Sequence, residues 1–155
     1  MKKICILLIF SILILTACSE TTHNDYLFSG ESKHWEAEYT YNGKETWGEK
    51  DGQRTYSNEH DFRFILKYKG SLEELSSLQK LEYYYETNSG HGSGTEVFTE
   101  PPLSGIFSAS GSWIGGGKVH EDAVIKVHVN GMTLKSHLNC IIIVSNFIEL
   151  TVQVS

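Results

Sequence analysis

The sequence predicts an all-β domain, an antiparallel β-sandwich or meander with one short helix, preceded by a signal peptide and a flexible tether. Three observations predict it. Apolar and polar residues alternate with period two in several separate stretches, as they must when successive side chains of a strand face opposite sides. Asn-Gly and Asp-Gly steps divide the first of these stretches, and such pairs favour type I′ hairpin turns because both central residues need positive φ. Gly/Ser-rich breaks then separate further short strands with no internal repeat of fixed period, the pattern of a sandwich.

The chain opens with Lys2 and Lys3, followed by an apolar run from Ile4 to Leu15. That run is too short to span a bilayer, which needs about 20 residues, and it has the layout of a signal peptide. Leu15-Thr16-Ala17-Cys18 resembles the lipobox of bacterial lipoprotein precursors. The resemblance implies cleavage between Ala17 and Cys18 and a diacylglycerol thioether on Cys18. Residues 1–17 are then the signal peptide. The polar stretch 18–32 reads as the lipidated, flexible tether, and residues 33–129 as the folded domain. The expected address is the outer face of a cell membrane, with lipid on Cys18 as the anchor.

In the domain, Trp35, Ala37, Tyr39 and Tyr41 alternate with polar neighbours, and Asn42-Gly43 reads as a hairpin turn. Lys44 to Glu49 would return, and Asp51-Gly52 would turn the chain again into Gln53 to Ser57. Phe62, Phe64, Leu66 and Tyr68 form the next alternating face. Ser71-Leu72-Glu73-Glu74 is a capping-box pattern before leucines at helical spacing, so a short helix is expected there. Leu81, Tyr83 and Tyr85 resume the alternation. Ser89 to Gly94 and Ser110 to Lys118 read as Gly-rich loops, with a short strand at Thr95 to Glu100 and a break at Pro101-Pro102. Ala123, Ile125, Val127 and Val129 make the last clear face.

Between Glu31 and Val129 the chain resembles a group of small lipoproteins of Bacillus-type bacteria. Gly30-Glu31-Ser32-Lys33-His34-Trp35-Glu36 and Tyr68-Lys69-Gly70-Ser71-Leu72-Glu73-Glu74-Leu75 carry the likeness. It implies a common fold and address, and it transfers no activity or site residue.

After Asp122, Glu149 is the only acidic residue, and Ile141-Ile142-Ile143-Val144 shows no alternation. A base lost near codon 130 would account for the change. One allowed codon set, read in the shifted frame, gives W-N-D-I-E-E-S-F-E-L-Y-N-N-S-K and a stop, an acidic ending like that of the related lipoproteins. On that reading 130–155 is an out-of-frame tail. On the alternative the frame is correct, Asn130-Gly131 is a hairpin turn and Met132, Leu134 and Leu138 belong to a returning strand. DNA across codons 126 to 147 distinguishes the two.

Without residues 1–17 the chain has 11 Lys and Arg against 19 Asp and Glu, a net charge of −8. With no basic cluster, an acidic domain is a poor partner for nucleic acid. Cys5 leaves with the signal and Cys18 takes lipid, so Cys140 has no disulfide partner. The seven histidines show no i,i+4 pair, and no metal or other cofactor is expected. His91, between Gly90 and Gly92, is the one that a flexible loop could present. Gly115-Gly116-Gly117-Lys118 lacks the upstream Gly and the Ser/Thr of a phosphate loop. Glu36 with Glu38, and Glu82 with Glu86, read as solvent-facing strand residues.

No catalytic constellation emerges, and the expectation is a non-enzymatic binding module for a protein or another envelope component. Tyr84 and Trp113 are the candidate interaction residues, as an exposed aromatic patch. The alternative is a small solute- or metal-binding lipoprotein that serves a transporter. Replacing Cys18 with Ala should move the protein from the detergent phase to the aqueous phase in a phase-partition assay. Equal partitioning of the variant and the parent would sink the lipid-anchor reading.

Overall fold

The computed structural model describes residues 19–133 and 137–146, with side chains as far as residue 131. Residues 1–18, with the expected signal peptide and its cleavage site at Ala17 and Cys18, the segment 134–136 and the residues from 147 on lie outside the described residues. The strands are β1 (Glu20–Glu31), β2 (Trp35–Lys50), β3 (Gln53–Tyr68), β4 (Leu78–Glu86), β5 (His91–Val97), β6 (Ile106–Ile114), β7 (Val124–Thr133) and β8 (His137–Asn146). All pair antiparallel, in the order β5-β4-β7-β8-β1-β2-β3-β6. The domain is all-β, as the alternation predicts.

The hydrogen-bonded sheet folds over on itself into the two layers of a sandwich. Four strands stand between β4 and β3 in the ladder, yet Tyr85 of β4 stacks on Phe64 of β3 with ring centroids 4.7 Å apart. The two layers join where β8 meets β1, among the described residues at Phe28↔Asn146 and Ser29↔Ser145. The predicted inward faces are buried: Trp35, Ala37, Tyr39 and Tyr41 on β2, Phe62, Phe64, Leu66 and Tyr68 on β3, and Leu81, Tyr83 and Tyr85 on β4. On β7, Ile125, Val127 and Val129 are buried as well. Each large apolar side chain so buried contributes roughly 1.5–3 kcal/mol.

The tether expected over 18–32 is corrected. Residues 20–31 form β1, paired with β2 from Glu20↔Trp47 to Glu31↔Glu36. Two aromatics two residues apart suffice to seat it. Tyr26 stacks on Tyr41 at 6.0 Å, and Phe28 is fully buried beside Tyr39.

Asn42-Gly43 is not a turn but the middle of β2. Asn42 donates to Asp61 Oδ2 at 2.8 Å, and the Tyr41 ring lies against Gly43. The chain reverses only at Asp51-Gly52, where φ is +54° and +74° as a type I′ turn requires. The three short strands of the expected meander are thus one long hairpin.

The expected helix is a single 3-10 turn, Glu74–Ser77. Half of the capping box forms, with Glu74 N–H donating to Ser71 Oγ at 3.4 Å. The Glu74 carboxylate is taken by the Tyr68 hydroxyl at 2.7 Å. Leu75 drops into the core, and Leu78 already opens β4.

Both Gly-rich loops are corrected in part to strands. Gly92 and Gly94 lie in β5, and Gly111 and Trp113 in β6. The reason lies on the partner strands: Tyr85↔Gly92, Tyr83↔Gly94 and Phe62↔Gly111 are directly opposed pairs. In each the aromatic ring covers the space where a Cβ would stand. An aromatic laid across a strand glycine supplies the packing that the glycine lacks.

Asn130-Gly131 likewise continues β7. β8 pairs with β7 from Val124↔Ser145 to Met132↔His137, so the described backbone carries part of the tail as a strand. Gly94→Val should displace the Tyr83 ring and lower stability by about 1–3 kcal/mol, the usual range for overpacking. Urea denaturation reads it, and an unchanged midpoint would refute the ring-over-glycine account.

Candidate functional site

At one end of the sandwich the two layers part around a cleft of about 310 Å³. β2 brings Tyr39 and Tyr41 to it, β3 brings His60 and β6 brings Trp113. These positions follow from strand alternation, because each continues the inward face of its strand past the closed core. The opposite wall is Tyr85 of β4 and the turn that follows it, with Thr87, Ser89, Gly90 and His91. Gly115 to Gly117 and Val119, between β6 and β7, complete the lining.

Specific bonds hold this rim. Gly115 N–H donates to the Asn58 carbonyl at 2.8 Å, and Asn58 Nδ2 donates to the Gly116 carbonyl at 3.0 Å. Positive φ at Gly115 and Gly116, +81° and +86°, lets the backbone bend this tightly. Asn88 Nδ2 reaches the Lys118 carbonyl at 3.2 Å, tying residues 115–119, a strap between β6 and β7, to the β4–β5 turn. Lys118 Nζ meets Glu45 Oε1 at 2.7 Å, and Glu45 also accepts from Asn24 and Tyr56. The Lys118 hydrogen bond, opposed by burial, holds the Glu45 carboxyl below its ordinary pKa. Across the cleft, Thr87 Oγ1 accepts from Gly90 N–H at 3.0 Å and shapes the turn.

Among the described residues no Asp, Glu, Lys or Arg lines the cleft. Its polar groups are phenols, hydroxyls, the His60 imidazole and backbone. Burial first, and then the neighbouring Tyr83, pushes Tyr85 up to about 12. Burial first, then Tyr85, also raises Tyr39 well above its ordinary value. Both phenols therefore stay protonated at neutral pH, and their hydroxyls have no hydrogen-bond partner among the described residues. His60 packs 5.4 Å from Tyr41 and 5.2 Å from Trp113, centroid to centroid, with Nδ1 buried and unpartnered among the described residues. Burial lowers its pKa, with Asp61 pulling the other way. Trp113 stacks on Phe62 at 4.9 Å and 18°, leaving half of its surface exposed at the rim.

The two candidate aromatics do not come together. Tyr84 is 37% exposed on the outer face of β4, between His91 at 5.7 Å and His128 at 6.1 Å. Trp113 is on the inner face of β6, at the cleft. Tyr84 and Trp113 therefore cannot share one patch, because period two sends them to opposite faces. His91 does line the cleft, though as the first residue of β5 rather than in a loose loop. His60, Tyr39, Tyr41 and Tyr85 escaped notice because an inward tyrosine at a strand end has the same pattern as one in the core. The paired carboxylates stand elsewhere: Glu36 bonds Lys67, and Glu82 bonds Lys80 and Asn130. Among the described residues no group of three or more His, Cys, Asp and Glu is placed to hold a metal ion. No protein-family model, curated protein or solved structure matches the chain.

The lowered pKa of His60 makes stability depend on pH with a definite sign. Its neutral form is favoured in the fold, so the unfolded chain binds a proton more readily. Its share of stability is intact above the unfolded value of about 6.5 and is lost as pH falls from there through the lower folded pKa. Thermal midpoints measured from pH 7.5 down to 5 should fall more steeply in the parent than in His60→Gln. Parallel curves would remove His60 from this role.

Proposed function

We propose that the chain is a non-enzymatic, lipid-anchored binding protein of the extracytoplasmic face, whose cleft takes a small uncharged ring bearing hydroxyl groups, such as a sugar. One observation carries the reading: a concave cleft of ligand size, walled by Tyr39, Tyr41, Tyr85 and Trp113, that no Asp, Glu, Lys or Arg among the described residues lines. Ligand sites are commonly apolar pockets with a few converging polar groups. The exposed face of Trp113 suits the C–H face of a sugar ring, and the Tyr39 and Tyr85 hydroxyls are available to its oxygens. An anion would meet no cation here, and a desolvated charge without a partner is costly.

The strap and the β4–β5 turn favour a preformed cleft, since each is held by several hydrogen bonds. Preorganisation spares the ordering cost of binding. The anchor rests on the lipobox-like segment ending at Cys18. On this reading the membrane is a tether and the ligand comes from the envelope or the medium.

Tryptophan fluorescence should report saturable binding of at least one neutral mono- or disaccharide in a panel that includes charged analogues. Tyr85→Phe keeps the ring and removes one hydroxyl, so affinity should drop roughly threefold to tenfold, the effect of a neutral hydrogen bond of about 0.5–1.5 kcal/mol. Trp113→Ala should weaken binding further. A panel without binding, or tighter binding of the charged analogues, would count against the proposal.

A further inference from the structure

We infer that β6 is a self-pairing edge, through which two copies of this chain join their sheets about a two-fold axis at Ser110. Among the described residues β6 ends the ladder and pairs only with β3. From Ile106 to Ile114 it carries no charge and no proline. Exposed edges are ordinarily protected by charges, prolines or bulges, because their free N–H and C=O groups invite another strand. In an acidic chain an uncharged edge is also where two copies can approach with least repulsion.

The side chains identify a second copy as the occupant, because β6 is nearly palindromic about Ser110. In antiparallel pairing centred there, Ile106 faces Ile114 of the second copy and Ser108 faces Ser112 on the outer side. On the inner side Phe107 faces Trp113 and Ala109 faces Gly111, so large meets large and small meets small. Ile106 and Ile114 are 55% and 88% exposed in the single chain, which gives apolar surface to both ends of the joint. A two-fold contact needs such self-complementarity. β5, the other edge, lacks it: about Gly94, His91 would face Val97 and Gly92 would face Glu96.

The backbone agrees with the side chains. Just outside the two ends of β6, Gly105 C=O and Gly115 N–H bond to Tyr68 and Asn58 of the β3 side. In an antiparallel ladder the bonding direction alternates. Odd-numbered residues of β6 therefore bond to β3, and Ser108, Ser110 and Ser112 turn their N–H and C=O to the open edge. A two-fold axis at Ser110 sets those groups opposite each other as hydrogen-bonded pairs.

The same alternation supplies the test. Ser110→Pro deletes an N–H that points away from β3, the position at which an edge tolerates proline. Ser110→Lys keeps the N–H but sets two ammonium groups against each other at the axis. The full chain in detergent, with micelles in excess, is sedimented at up to about 100 µM, a range that detects weak affinity. The parent is expected as a dimer and both variants as monomers, with thermal midpoints matching the parent's at concentrations too low for pairing. If the proline variant fails to fold, the lysine variant decides. A monomeric parent, a dimer that survives the substitutions, or open-ended assemblies of β6 on β5 would overturn the inference.

Discussion

Tyr85 is where the two layers become one protein. Its ring meets Phe64 at 4.7 Å, Tyr39 at 5.7 Å and Phe62 at 5.9 Å, all on strands of the opposite layer. It also covers Gly92 on the neighbouring strand of its own layer. Among the described residues the ladder joins the layers through two residue pairs of β1 and β8. Aromatic packing across the sandwich holds the layers at a set distance. Rings as large as these bury 150–250 Å² each and prefer tilted or offset contacts, so they fix distance and angle together.

The cleft follows from this seam. Tyr39, Phe62 and Trp113 form a stacked file, with interplanar angles of 13° and 18°, that runs from the core to the rim. The file stays closed while Tyr85 faces it. Beyond Tyr85, β4 gives way to the turn at Thr87 to Gly90, which is built of small residues, and the layers no longer meet. Gly115 to Gly117 cross the gap with little side-chain bulk. The opening therefore reflects aromatic side chains ending on one layer before they end on the other. A fully protonated pair of phenols at its inner end makes the site polar without making it charged.

The strand faces were legible in the sequence wherever one segment held three or more alternating apolar residues, as at Trp35 to Tyr41 or Ile125 to Val129. What sequence reasoning missed depends on a partner strand. Gly92, Gly94 and Gly111 look like loop residues on their own, and only the opposed Tyr85, Tyr83 and Phe62 make them strand residues. β1 was missed for the same reason, since Tyr26 and Phe28 seat it only against Tyr41 and Tyr39. Asn42-Gly43 shows the converse. A favourable local turn signal yields to the register that keeps sixteen residues of β2 in the sheet. Of the site, the sequence marks His91 by its flanking glycines and Trp113 by its aromatic ring in a Gly-rich stretch, while the tyrosines share the pattern of core residues.

β6 has two different tasks along one strand, and the period of two keeps them apart. Phe107, Ala109, Gly111 and Trp113 face inward, from the core to the cleft, while the serines between them face outward. The backbone divides in the same rhythm, with odd residues committed to β3. Ligand contact at Trp113 and strand pairing at Ser110 therefore use separate side chains and separate hydrogen-bonding groups. They are not independent, because Trp113 in a paired edge would lie opposite Phe107 of the second copy. Any restriction of its rotamers by one event lowers the ordering cost of the other, and linkage makes that coupling equal in both directions. Edge pairing and ligand binding should then reinforce each other where both restrict Trp113 to its stacked position on Phe62, and oppose each other where the ligand draws the indole away.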